Sequence, residues 1–230
     1  MARIGRRIRQ LLAQIPSGYD WVWDLCCDHG YLGLELLAQQ PKQRVGFVDQ
    51  LPQVMRPLGE QLQALYPAER WQCLTLDASQ LILPPGKHLL VVAGVGDEVL
   101  LRIMNQLRLQ QGGQGSELRQ LDWLLSPANN VYLVRHQLQQ WQMVMQAEGL
   151  IEERGKLYEW LILQEQQPEA AQAKLSRVSN PAPFWQPELA SHRQHLSRLM
   201  RHAELVSKHQ DDPLALAEWQ CWQGLLNQDR

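Results

Sequence analysis

The sequence predicts an α/β fold: a Rossmann-like parallel sheet with helices on both faces, ending in an antiparallel strand and followed by a small C-terminal helical appendage. Three observations predict it. Short β-prone runs alternate with helical stretches five times along the first part of the chain. The fourth run, Leu89-Leu90-Val91-Val92-Ala93, is wholly apolar, as a central strand buried on both faces must be. A composition break near Gln166 sets the last two helical segments apart from everything before them.

Taken in order, the opening stretch carries an apolar stripe of Ile4, Ile8, Leu11, Leu12 and Ile15 at helical spacing. Pro16-Ser17-Gly18 stops that helix, and Trp21 to Leu25 is a β-prone run. A helix from Leu32 to Gln39 follows, then a strand from Arg44 to Val48, a helix from Pro52 to Leu65 and a strand from Trp71 to Leu76. Pro84-Pro85-Gly86 precedes the apolar fourth strand, and Gly94 and Gly96 follow it. Glu98 to Leu109 has helical periodicity, Gly112 to Gly115 reads as a loop, and Asp122 to Leu125 is a strand ending at Pro127. A helix over Val131 to Ala147 leads to two strands, Leu150 to Arg154 and Leu157 to Gln164, joined by a turn at Gly155-Lys156. Such a terminal hairpin adds the antiparallel strand.

Residues 1–165 thus form one domain and residues 166–187, punctuated by Pro168, Pro181, Pro183 and Pro187, a linker. Residues 188–230 form a helical hairpin, with segments at Glu188 to His209 and Pro213 to Asn227. In the second segment Leu214, Leu216, Ala217, Trp219, Cys221, Trp222 and Leu225 offer an apolar stripe for packing.

The 230 residues are 45% hydrophobic, enough for one sizeable core and a small second module. No run approaches the length of a membrane span, and the N-terminus lacks the apolar core and cleavage site of a secretory signal. Of the four cysteines only Cys26 and Cys27 are close in sequence, a poor disulfide framework. A reducing, cytoplasmic setting is expected. The net charge of −2 gives no global attraction to a polyanion, so such binding must come from local patches. Arg3, Arg6, Arg7 and Arg9 form one such patch at i,i+3 and i,i+4 spacing, either a solvated helix face or a phosphate-facing one.

In an open parallel sheet, ligands bind beyond the carboxyl ends of the strands, where the strand order reverses. Asp24-Leu25-Cys26-Cys27-Asp28-His29-Gly30-Tyr31 follows the first strand, Asp49 the second, Asp77 the third and Gly94-Val95-Gly96-Asp97 the fourth. Asp49 stands where a carboxylate accepts hydrogen bonds from both hydroxyls of a ribose. Asp77, followed by Ala78-Ser79, is either a ligand contact or a helix cap. A nicotinamide enzyme would need G-x-G-x-x-G after the first strand, so that a diphosphate can approach backbone amides. Here that loop holds Cys26 and Asp28 before Gly30. The Asp28 carboxylate would repel a diphosphate but favour the cationic sulfonium and amino group of S-adenosyl-L-methionine. Cys26, Cys27 and His29 also raise a metal site, but no second ligand pair occurs at usable spacing for zinc, so no metal is expected.

At these residues the chain resembles bacterial tRNA adenine-N1 methyltransferases of the TrmK type, which act on an adenine at position 22 in the D arm. The family's I-P-x-G is Ile15-Pro16-Ser17-Gly18, and its D-I-G-S-D-H-A-Y-L-P is matched at Asp24, Asp28, His29, Tyr31 and Leu32. Its A-G-M-G-G is Ala93-Gly94-Val95-Gly96-Asp97, and its G-K-x-Y-E is Gly155-Lys156-Leu157-Tyr158-Glu159. The likeness runs from about residue 6 to 165, and only the helical character of the C-terminal part is shared. Four departures stand out. Cys26 replaces a glycine, Gly33 a proline and Asp97 a second glycine, and the family's Q-P-N becomes Ser126-Pro127-Ala128, with Asn129 one place off. That last motif lies where the substrate base is expected.

The resemblance implies a class I methyltransferase sheet, with S-adenosyl-L-methionine as cofactor and tRNA as partner. It implies that Asp24, Gly30, Asp49, Asp77, Ala93, Gly94 and Gly96 contact the cofactor, and that Asp28 works near the methyl donor or target adenine. His29 and Tyr31 are supporting catalytic candidates, and His29 is equally well read as holding the loop together. The basic N-terminal helix and Arg193, Arg198 and Arg201 of the C-terminal helix are the candidate phosphate contacts. The alternatives are a methyltransferase acting on a small molecule or protein, and a binding module without catalysis.

Overall fold

The computed structural model describes residues 4–110, 119–129, 131–165, 185–186, 188–210 and 213–227. Among them, seven strands make a single sheet: β1 (Trp21–Leu25), β2 (Arg44–Asp49), β3 (Trp71–Thr75), β4 (Gly86–Ala93), β5 (Arg119–Ser126), β6 (Val144–Glu153) and β7 (Lys156–Gln164). Seven helices accompany it: α1 (Arg6–Leu12), α2 (Tyr31–Gln39), α3 (Pro52–Leu65), α4 (Asp97–Leu109), α5 (Val131–Gln140), α6 (Ala190–Gln210) and α7 (Pro213–Leu226). The strand order is β3-β2-β1-β4-β5-β7-β6, with β1 to β5 parallel and β7 antiparallel to both of its neighbours. The order reverses between β1 and β4, which opens a crevice beyond their carboxyl ends.

Alternate residues of the central strands feed two cores. Leu11, Leu12, Leu36, Leu37, Met55, Leu58 and Leu62 bring α1, α2 and α3 against one face, on Val22, Phe47, Leu89 and Val91. On the other, α4 and α5 pack Leu100, Ile103, Met104, Leu107, Val134 and Leu138 on Trp23, Leu90, Val92, Trp123 and Leu125. The fit is close where β1 meets β2: Trp23 pairs with Gly46, and a Cβ on Gly46 would lie 2.0 Å from the Trp23 ring. A third cluster joins Trp185, Leu196 and Trp222 to Leu157 and Tyr132, so α6 and α7 pack on each other and on the edge of the sheet.

Several strand and helix ends shift by a few residues from the sequence reading, and three boundaries have a clear local cause. The helix expected to reach Ala147 ends at Gln140, because Gln142 turns left-handed at φ 56° and the Met143 N–H reaches back to the Leu138 carbonyl at 3.0 Å. This is a Schellman closure with glutamine where glycine usually stands. It frees Val144 onward for β6, which starts well before Leu150 and carries an irregularity between Met145 and Ala147. The hairpin turn is Arg154-Gly155, one residue earlier than expected. Both residues have positive φ, 53° and 72°, as a two-residue turn twisted to match its strands requires, and Glu153 pairs with Lys156. In α7 the buried side is Ala215, Glu218 and Trp222, while Leu216 is exposed, and the Trp222 indole donates to Glu218 Oε1 at 3.0 Å. The glycine-rich stretch at 112–115 and all of the expected linker but Trp185-Gln186 lie outside the described residues.

Candidate active site

The β1–α2 loop is built on strained backbone. Cys26 and Asp28 both adopt left-handed φ, 55° and 51°, a region that favours glycine. Hydrogen bonds hold it: the Cys27 N–H donates to the Val48 carbonyl at 3.1 Å, and the Asp28 N–H to Asp49 Oδ2 at 3.0 Å. Gly30, at φ 67°, caps α2, and a Cβ there would come within 2.7 Å of Leu58. Its missing side chain therefore admits the protein's own core rather than a ligand. The same holds for Gly33, where a Cβ would strike Phe47 at 2.3 Å and which stands in the place of the family's proline.

The carboxylates expected at the strand tips converge on this loop. Asp24 is buried at the end of β1, where Oδ2 accepts the Gly33 N–H at 3.0 Å and so ties strand to helix. Burial pushes its carboxyl up to about 7; the Gly33 hydrogen bond opposes this and the nearby Asp49 charge adds to it. Asp49, 9% exposed, accepts from the N–H groups of Asp28 and Leu51, each at 3.0 Å, one on each oxygen. Each oxygen keeps a second lone pair for an incoming donor. Cys26 sits among these acids: its thiol is pushed up to about 11, first by burial and then by Asp49, Asp77 and Asp24, with Arg102 opposing.

Asp77 forms the cap. Its Oδ1 accepts from the Ser79 N–H and hydroxyl at 2.9 and 2.8 Å, closing the short turn Ala78–Gln80, and Oδ2 pairs with Arg102 at 2.8 Å. Those hydrogen bonds and the Arg102 cation hold the carboxyl below its ordinary value, against a burial contribution in the other direction that is the largest single cause. Arg102, on α4, is a partner that the sequence reading did not identify.

Asp28, His29 and Tyr31 cluster at the mouth. The Asp28 carboxylate and the His29 ring are both well exposed and 3.8 Å apart, and the His29 and Tyr31 rings lie 5.6 Å apart. None of the three is locked into the core, so all are open to a ligand.

Across the crevice, the loops after β4 and β5 are stitched together. The Gly94 N–H donates to the Ser126 carbonyl and the Ala128 N–H to the Val95 carbonyl, both at 2.9 Å. Ala93 ends β4 opposite Ser126. Gly94 has φ 82°, and the space where its Cβ would stand is taken by Arg7, whose Nη2 lies 2.6 Å from that point. The Asn129 carboxamide is 3.4 Å from the corresponding point on Gly96, so this asparagine reaches the crevice although it is one place later than the resemblance requires. Asp97 is the first residue of α4, where an acidic side chain suits the positive end of the helix, which accounts for its replacing a glycine.

A sequence profile described as "Methyltransferase domain" matches residues 4–161, most of the chain and all of the crevice. The chain belongs to that family. Among relatives of this methyltransferase domain, a protein of Mycoplasma pneumoniae provisionally named a tRNA methyltransferase is 29% identical over 160 residues, 68% of this chain and 67% of its own. Among solved structures, a Streptococcus pneumoniae protein provisionally named a tRNA (m1A22) methyltransferase, in complex with S-adenosyl-L-methionine, superposes with a TM-score of 0.69. It is 19% identical, over 98% of this chain and 100% of that one. The B. subtilis m1A22 tRNA methyltransferase TrmK gives 0.67 at 16% identity, over 98% and 97%. The likeness in each case is one of fold and extends through α6 and α7, beyond the stretch that the domain profile covers.

One expectation for this methyltransferase domain changes. Arg7 is not part of an outer basic face with Arg6 and Arg9: those two are exposed, whereas Arg7 is half-buried at the crevice. Arg3 lies outside the described residues. A sequence signal for Arg7 existed, since it stands three residues after Ile4 and four before Leu11, on the edge of the apolar stripe. Arg193, Arg198 and Arg201 are exposed along α6, Arg198 beside His195 and Arg201 bonded to the Ser197 carbonyl.

Proposed function

We propose that this chain is an S-adenosyl-L-methionine-dependent methyltransferase that methylates N1 of an adenine in tRNA, at position 22 of the D arm. The observation that carries the reading is the match to the methyltransferase domain over residues 4–161, laid on a crevice lined with acids. The tRNA methyltransferases among its relatives and structural neighbours supply the substrate class.

The donor set fits the cofactor. Asp49 holds two oriented oxygens at the tip of β2 for the ribose hydroxyls, and the carboxylates of Asp28 and Asp49, with the buried Asp24 behind them, suit a cation and repel a diphosphate. Ala93, Gly94 and Gly96 line the opposite lip, and Gly30 shapes the loop from behind. Bound there, S-adenosyl-L-methionine supplies an electrophilic methyl group. The chain's own residues orient and desolvate: Asp28 addresses the target adenine, His29 and Tyr31 wall it in, and no covalent nucleophile is needed. Reaching the base requires its extrusion from the stack.

In this reading residues 1–165 are the catalytic domain, and residues 188–230 present Arg193, Arg198 and Arg201 to the tRNA backbone across a linker at 166–187. No helix among the described residues is long and apolar enough to cross a membrane, and the cytoplasm, where tRNA is found, is the proposed location.

Incubation with labelled methyl donor and undermethylated total tRNA, followed by nucleoside digestion, tests the reading. Label in N1-methyladenosine is the expected result. Label in another nucleoside overturns the substrate assignment, and no transfer to any RNA, protein or small-molecule extract overturns the activity.

A further inference from the structure

The geometry points to Arg7 as a residue that holds the phosphate of the target nucleotide inside the crevice, a role separate from any outer basic face of α1. The inference rests on the proposed tRNA methyltransferase reading and deepens it by naming the group that fixes the nucleotide being modified.

Arg7 is presented from two sides. Its backbone N–H donates to Glu153 Oε1 at 3.0 Å, anchoring the start of α1 on β6. Its guanidinium carbon lies 4.7 Å from the centroid of the Tyr158 ring on β7, and Nη2 fills the space left by the missing side chain of Gly94. Stacking occupies a face of the guanidinium and leaves its in-plane N–H donors free to point outward, the arrangement that grips an oxyanion in a fork.

Charge balance and position together mark this arginine. Arg44, Arg102, Arg108 and Arg135 each have a carboxylate partner, Arg70 is bonded to the carbonyls of Leu37, Gln40 and Gln43, and Arg119 stands at the start of β5, at the opposite end of the strand from the crevice. Among the described residues no carboxylate pairs with the Arg7 guanidinium. A half-buried cation without a counter-ion, at the rim of a crevice otherwise lined by Asp24, Asp28 and Asp49, is a place for an incoming anion. Two anions could enter, the phosphate of a nucleotide and the carboxylate of the methyl donor. Position favours the phosphate. Arg7 lies against Gly94 at the tip of β4, whose loop is bonded to Ser126 and Ala128 after β5, whereas the Asp49 carboxylate proposed to hold the ribose lies at β2 on the other side of β1. Phosphate so near the acidic lip would otherwise be repelled, and a single desolvated guanidinium offsets that repulsion where the target nucleotide must sit.

The test compares the wild-type chain with Arg7→Ala and Arg7→Lys in three measurements: calorimetric affinity for S-adenosylhomocysteine, methylation kinetics on tRNA over a range of salt, and thermal melting. In Arg7→Ala, kcat/KM for tRNA should fall about ten- to hundredfold, the loss expected of a charge-assisted hydrogen bond. The slope of log affinity for tRNA against log salt should shrink by about 0.7 to 1, one phosphate's share. Affinity for S-adenosylhomocysteine should stay within about twofold, since the cofactor's proposed contact at this lip is to the Gly94 main chain, which the substitution leaves in place. Arg7→Lys should restore the slope but only part of the rate, because a point charge lacks the fork. Loss of S-adenosylhomocysteine affinity with an unchanged salt slope would assign the guanidinium to the donor's carboxylate and overturn the inference. A lowered melting temperature with unchanged slope and kinetics would reduce Arg7 to a clamp between α1 and β7. If the wild-type chain itself leaves tRNA unmethylated, it is the functional reading that fails.

Discussion

Replacing Asp24 by asparagine should change how stability depends on pH, and the size of the change follows from the burial of one carboxyl. Asp24 is 7% exposed at the end of β1, and its carboxyl is raised from 3.8 to about 7, mainly by burial. A folded-state value above the unfolded one means that the unfolded chain releases this proton first, so rising pH favours unfolding. The stabilisation is complete below the unfolded value near 4, erodes as pH rises, and is gone once pH passes about 7. Across the whole range one group with this shift is worth on the order of 4 kcal/mol, and between pH 5.5 and 8.5 it accounts for about 2 kcal/mol of lost stability. Asparagine keeps an oxygen for the Gly33 N–H but does not titrate. Urea unfolding of both proteins, without methyl donor or product, at pH 5.5, 7.0 and 8.5 gives the difference curve, in which the other titrating groups cancel. Asp24→Asn should gain on the wild type by about 2 kcal/mol from pH 5.5 to 8.5. A flat difference, or one that shrinks with pH, would show that the carboxyl ionises at its ordinary value and that the packing around β1 admits water.

Three further outcomes follow from the same geometry. Asp49→Ala should weaken S-adenosylhomocysteine binding at least about tenfold by calorimetry, because two oriented acceptors are lost together. It should also lower stability by about 1 kcal/mol in urea unfolding, since the Asp28 and Leu51 N–H groups lose their partner. Gly46→Ala should destabilise by about 3 kcal/mol in the same assay, since a methyl group 2.0 Å from the Trp23 ring cannot be accommodated between paired strands. Arg135→Met should lose about 3 to 5 kcal/mol, because Arg135 is buried and bridges Glu148 and Glu159, each at 2.7 Å, and would leave both acids without it. Adding Glu159→Gln to Arg135→Met should recover part of that loss, which marks it as stranded charge rather than lost volume.

The parallel sheet was legible because its signal is redundant. An apolar run such as Leu89 to Ala93 is a buried strand whatever its neighbours do, and the alternation with helices then leaves few topologies. The end of α5 was not legible for a local reason. The chain turns there on Gln142, a residue without turn preference, and the closing bond is between backbone atoms of Met143 and Leu138. The hairpin was read one residue late because Arg154 takes a left-handed conformation that arginine seldom adopts, and only the neighbouring glycine gave it away. At the site, Asp24, Asp49 and the Asp28-His29-Tyr31 group could be placed beside the crevice from the sequence because strand tips fix where side chains go. Arg102 was missed because its pairing with Asp77 joins α4 to the turn after β3, a contact between residues 25 apart that no local pattern encodes.

The glycines show how one residue type carries two kinds of meaning. Read along the sequence, Gly30 and Gly94 sit beside strand tips and are expected at the cofactor, while Gly33 stands where the family has a proline. In three dimensions Leu58 and Phe47 fill the space at Gly30, Phe47 that at Gly33 and Arg7 that at Gly94. Within the β1–α2 loop two residues with a glycine-like backbone, Cys26 and Asp28, are not glycines, and each left-handed conformation costs about 1 to 2 kcal/mol. That cost is tolerated because the intervening Cys27 and Asp28 amides are pinned to Val48 and Asp49. The loop beyond β1 is therefore set by its bonds to β2 rather than by its own sequence. Asp49 orients the very loop with which it is proposed to share a ligand, so substitution there disturbs the β1–α2 loop and the proposed ribose contact at once.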